Sequence, residues 1–72
     1  MLEPASPAAA PPTVSIDEQI AAVRRELAMR RNVYRKWVTG GRMKQEVADK
    51  EIAAMEAVLA TLQRVREREN HG

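Results

Sequence analysis

The stretch Arg30-Arg31-Asn32-Val33-Tyr34-Arg35-Lys36-Trp37-Val38-Thr39-Gly40-Gly41-Arg42-Met43 decides how this chain folds. It holds the only tyrosine, the only tryptophan and two of the three glycines, and it lies between two long segments with helical periodicity. Gly40 is placed to supply the left-handed conformation that closes a helix without a Cβ penalty, and Gly41 then lets the chain reverse. A connection this short between two long helices makes them antiparallel neighbours. The expected fold is an all-α, two-helix hairpin.

Upstream of the bend, Ser15 followed three residues later by Glu18 forms a capping-box pattern, and Asp17 and Glu18 complement the positive end of a helix. From there Ile16, Ile20, Val23, Leu27, Arg30, Tyr34 and Trp37 recur at alternating steps of four and three, the spacing of a coiled-coil seam. The first helix is expected over about 15–39. Only Arg30 breaks its stripe. A guanidinium facing a partner helix needs an acceptor, so Arg30 is expected to meet Glu26, one turn back, or Glu51 across the hairpin.

Downstream, a second helix is expected from about Met43 or Lys44 to Glu69, with fraying over 70–72. No good N-cap residue stands between Gly41 and Glu46, so its first turn is the least defined boundary. Ala48, Met55, Val58, Leu62 and Val65 form one apolar stripe, and Val47, Ile52 and Leu59 lie beside it. One facing helix cannot cover both. Two hairpins packed face to face would, so a homodimeric four-helix bundle is expected, or else a monomer that folds fully only against another protein, with core and dimer contacts drawn from Ile20, Val23, Leu27, Ile52, Met55, Val58, Leu59, Leu62 and Val65.

The remaining segment, residues 1–14, carries all four prolines among alanines and cannot build a core, so it is expected to be a disordered tail. At 72 residues the chain makes one small domain, of a size that usually needs a disulfide, a metal or a partner. It has no cysteine and a single histidine, His71, so neither a disulfide nor a thiolate zinc site is available, and association is the remaining means of stabilisation. No apolar run is long enough to cross a bilayer, and the expected location is cytoplasmic.

Net charge is only +2, yet Arg24, Arg25, Arg30, Arg31, Arg35, Lys36, Arg42 and Lys44 crowd the interval from 24 to 44 against one acid, Glu26. Such a basic bend seeks anions: an acidic protein groove, nucleic-acid phosphate or an anionic membrane surface. The bland alternative is that these side chains pair with Glu46, Asp49, Glu51 and Glu56 across the hairpin. Tyr34 and Trp37 read first as the end of the core stripe, and second as interface anchors or stacking platforms. Candidate partner-binding residues are therefore Arg31, Tyr34, Arg35, Lys36, Trp37, Arg42 and Lys44. No phosphate loop, activated nucleophile or cofactor motif is present, and no cofactor, metal or small-molecule substrate is expected.

The block from Glu26 to Val38, with Val-Tyr-x-x-Trp-Val, then Gly41-Arg42-Met43 and Glu51-Ile52-x-x-Met55-x-x-Val58, resembles a family of small, largely uncharacterised helical proteins encoded by tailed bacteriophages and prophages of proteobacteria. Lys44 stands where that pattern leads one to expect a threonine or serine cap. The resemblance covers about half the chain and implies a protein that binds a host regulator or host machinery. The expected function is a non-enzymatic protein-binding module. The alternatives are a nucleic-acid-binding accessory protein using the same basic bend and a phage assembly component.

Overall fold

The structure, a computed structural model, describes residues 13–71, and the tail expected over 1–14 lies almost wholly outside that range. Two helices make up the fold: α1 over Ile16–Thr39 and α2 over Gln45–His71, joined by the bend at 40–44. They pack side by side as an antiparallel, all-α hairpin, with no strand among the described residues.

Helix α1 starts where its capping box places it. The Ser15 hydroxyl accepts from the Glu18 backbone N–H at 3.0 Å, while the Ser15 N–H donates to Glu18 Oε1 at 3.2 Å. Two of the four unpaired donors at the helix start are thereby satisfied reciprocally. The helix ends in a Schellman motif: Arg42 N–H donates to the Trp37 carbonyl at 2.8 Å and Gly41 N–H to the Val38 carbonyl at 3.1 Å. The left-handed residue is Gly41, at φ +79°, and not Gly40, which keeps φ at −83°. The correction has a simple cause. Helix α1 runs through Thr39, so Gly40 serves as its last half-helical residue and the reversal falls one position later.

Helix α2 begins at Gln45, one to two residues after the expected start, and continues to His71 where fraying was expected. Lys44 occupies its N-cap. The Lys44 carbonyl accepts from Val47 and Ala48 N–H, both at 3.1 Å, but lysine has no short oxygen to return a cap to the first turn.

The seam between the helices is narrow. Ile20, Leu27 and Ala48 are its buried residues. Ile16, Val23, Tyr34, Ile52, Met55, Leu59 and Leu62 are half-buried around them. Along α2 the inward positions are Ala48, Ile52, Met55, Leu59 and Leu62, which keeps alternating steps of four and three. Of the two apolar rows expected on α2, the one through Ile52 and Leu59 faces α1, whereas Val58, 45% exposed, and Val65 stand outside it. Both lie one residue behind the inward row, on the flank of the helix.

Arg30 behaves as its place in the stripe requires. Its Nε donates to Glu26 Oε2 at 2.8 Å, and its Nη1 lies 3.9 Å from Glu51 Oε1 across the seam. The hydrogen bond to Glu26 holds the guanidinium pKa above its ordinary value, so the group stays charged. Further ties between the helices come from Arg31 with Glu56 and, at the far end, Arg66 with Asp17 at 3.5 Å.

Candidate protein-interaction site

The last three turns of α1 distribute the candidate residues over different sides of the hairpin. Successive residues of a helix are turned by about 100°, so Val33, Tyr34 and Arg35 point to one flank, the seam and the other flank respectively. The ion pairs identify the flanks. Arg31 reaches Glu56, so Arg31 and Arg35 share a side with Ile52 and Glu56; Arg30 reaches Glu51, so the Glu26 and Val33 side of α1 meets the Glu51 and Val58 side of α2.

The charged side carries a groove of about 360 Å³ lined by Arg31, Tyr34, Arg35, Val38, Thr39, Gln45 and Ile52. Its floor is apolar, from Tyr34, Val38 and Ile52. Its rim is cationic but unevenly free. Arg31 is paired with Glu56, whereas among the described residues Arg35 meets the neutral amide of Asn32, its Nη2 donating to Oδ1 at 3.0 Å, and no carboxylate. Gln45 is held by Asp49, donating from Nε2 to Oδ1 at 2.9 Å. Around the bend, Lys36, Arg42 and Lys44 make no ion pair among the described residues. Of the eight basic residues over 24–44, carboxylates thus pair Arg30 and Arg31, and among the described residues Arg24, Arg25, Arg35, Lys36, Arg42 and Lys44 make no ion pair.

The opposite side is apolar. A second groove, about 260 Å³, is lined by Glu26, Met29, Arg30, Val33, Tyr34 and Trp37. Tyr34 and Trp37 are stacked at its head, ring centroids 5.9 Å apart and planes 28° from parallel. Each ring therefore covers part of the other. Met29 is 54% exposed, Trp37 40% and Val47 45%, and these join Val58 on the same flank.

Of the expected contact residues, the structure brings Arg31, Tyr34 and Arg35 together in one groove and turns Trp37 toward the apolar side, whereas Lys36, Arg42 and Lys44 line neither groove. Sequence reasoning missed Met29 and Val33, while Val47 was read as part of the second apolar row of α2. The signal was present: Met29, Val33 and Trp37 lie at i, i+4 and i+8. The stronger four-three stripe beside them masked it.

Among the described residues no cluster of His, Asp or Glu is placed to hold a metal ion, and no helix is long and apolar enough to cross a membrane. No family model matches this sequence, and no curated protein or solved structure is significantly similar to it.

Proposed function

We propose that this chain is a small non-enzymatic protein-binding module of the phage and prophage type, working as a homodimer of helical hairpins and modulating a host regulator or host machinery through its basic bend. One observation carries the reading: Arg31 and Arg35 border a groove lined by Tyr34, Val38 and Ile52, and near it Arg35, Lys36, Arg42 and Lys44 make no ion pair among the described residues. Cations beside an apolar floor suit a protein segment that presents carboxylates next to an aliphatic side chain. Charge steers such an encounter and the apolar contact retains it.

Nucleic-acid binding is the second reading, and the unpaired Lys36, Arg42 and Lys44 favour it. Two features count against it. Glu56 and Asp49 interrupt the cationic stripe that a phosphate backbone would follow. Tyr34 and Trp37 are also stacked on each other and so offer reduced platforms for bases.

Affinity capture with the full chain and with an Arg35→Ala, Lys36→Ala variant, read by mass spectrometry, tests the first reading. The expected result is a protein retained by the wild type and lost with the variant. A gel-shift titration against DNA and RNA tests the second. A shift at low salt that collapses as salt rises to physiological strength replaces the protein-binding reading with the nucleic-acid one.

A further inference from the structure

We propose that the side of the hairpin formed by Met29, Val33 and Trp37 of α1 with Val47, Val58 and Val65 of α2 is where a second copy of this chain docks, leaving the charged side free for a different partner. The inference rests on the reading that copies of the chain associate, and it says through which surface they do so.

Three observations support it. First, large apolar side chains are concentrated on this flank: Met29, Trp37, Val47 and Val58 are each exposed by 40% or more. Met29 and Trp37 line an open groove with Val33, and helical spacing puts Val47 and Val58 on the same side of α2 as Glu51, the residue that Arg30 meets across the seam. Second, the flank has the size required. From Val47 to Val65 it runs about 27 Å along α2 and is about 20 Å wide across two packed helices. That is roughly 500 Å² in projection and more in accessible area, near the roughly 800 Å² per partner of a specific interface. Third, the charge is right for meeting a copy of itself. Arg30 is held between Glu26 and Glu51, so the three ionisable groups at the centre of the flank pair within one chain and leave a net charge of only −1. Like surfaces can then face each other across a two-fold axis without strong repulsion. The opposite flank presents Arg31, Arg35, Asp49 and Glu56, and two copies meeting there would have to take four charged groups out of water.

A different protein on the apolar flank would need a complementary apolar strip of its own. A second copy carries one by construction. The arrangement also places the sole tryptophan at the interface, which supplies an intrinsic reporter.

The test is sedimentation velocity on the full chain from micromolar to millimolar concentration, with Trp37 emission recorded in parallel. The wild type is expected to dimerise with a blue shift of emission. Val58→Asp and Met29→Glu are expected to raise the dimer dissociation constant about tenfold or more by carrying an unpaired carboxylate into the contact, while Arg35→Glu leaves it unchanged. Because a charge introduced on the flank also weakens the hairpin, single Val58→Cys and Arg35→Cys variants of this cysteine-free chain provide a gentler reading. With increasing concentration, maleimide labelling should slow at position 58 and not at position 35. A wild type that sediments as one chain throughout overturns both self-association and the assignment. A dimer that survives Val58→Asp and Met29→Glu, with position 58 still labelled at full rate, overturns the assignment alone.

Discussion

On one flank of the hairpin Met29, Val33, Trp37, Val47 and Val58 face outward, and on the other Arg31, Arg35, Asp49 and Glu56 do. Both flanks belong to the same two helices, and along each helix a single residue step separates one flank from the seam and another step reaches the opposite flank. The chain thus encodes three surfaces in one periodicity: a seam, an apolar flank and a charged flank. Composition alone hides the division, since the hydrophobic residues number far more than one seam of two helices can cover.

The largest expected effect separates seam from flank. Leu27 is 4% exposed, and Leu27→Ala should cost about 2–5 kcal/mol, enough to unfold a hairpin this small at low concentration. Val58→Ala removes nearly as apolar a group, yet at 45% exposure it should cost under about 1 kcal/mol in the single chain. Thermal melts followed by circular dichroism at low and high concentration check both. Equal costs at low concentration would erase the distinction between seam and flank, whereas a Val58→Ala cost that grows with concentration sharpens it.

The bend comes next, because it sets the register in which the two helices share their flanks. Gly41 at φ +79° occupies a conformation that costs an L-residue about 1–2 kcal/mol, and Gly41→Ala should lose that much. Gly40→Ala should lie close to neutral. Its φ of −83° suits any residue, and a 3.3 Å contact of the added Cβ with the Lys36 carbonyl offsets the gain of about 0.4–1 kcal/mol from restricting the unfolded chain. Urea denaturation of the two variants side by side decides the matter; a more damaging Gly40→Ala would place the reversal at the wrong glycine.

A smaller gain is available at the start of α2. Lys44→Asp replaces a residue without a capping oxygen by one that can accept from the first turn and also complements the helix dipole. Stability should rise by about 0.5–1 kcal/mol. Ser15→Ala at the start of α1 should fall by a similar amount, because it removes the hydroxyl of an intact capping box. Melting temperatures moving in opposite directions would confirm that the two helix starts are unequal.

Much of this fold was legible in the sequence because helical signals are local. The capping box at Ser15 and Glu18, the four-three stripe through Ile20, Val23 and Leu27, the glycine pair and the Arg30–Glu26 pairing each involve residues within a turn or two of one another. Two features were not legible. Which glycine turns left-handed depends on whether α1 stops before or after Thr39, a matter of one hydrogen bond. Which apolar row of α2 faces α1 depends on rotation about the helix axis. Ala48-Ile52-Met55-Leu59 and Ala48-Met55-Val58-Leu62 both fit helical spacing, and only packing against Leu27 and Ile20 selects the first. At the candidate site the basic residues were plain in the sequence, but their division into paired and unpaired groups required the distance between Arg31 and Glu56.

The finest probe of the two-sided arrangement is Arg30, which lies at the boundary between seam and apolar flank. Its side chain is 31% accessible, and its partners Glu26 and Glu51 are 39% and 53% accessible. Ion pairs this wet contribute little to folding, so Arg30→Met, which keeps the apolar volume of the stem, should leave the melting of the single hairpin almost unchanged. Its consequence should fall on association instead. Without the guanidinium, Glu26 and Glu51 remain on the apolar flank with no cation between them, and two such flanks approaching each other would repel. Added sodium chloride should then restore association by screening that repulsion. This salt response is opposite in sign to that of a phosphate-binding surface, which weakens as salt rises. Sedimentation of Arg30→Met across a salt series therefore reads the electrostatics of the apolar flank separately from those of the bend. A dimer indifferent to both the substitution and the salt would mean that the Glu26–Arg30–Glu51 cluster lies outside the contact.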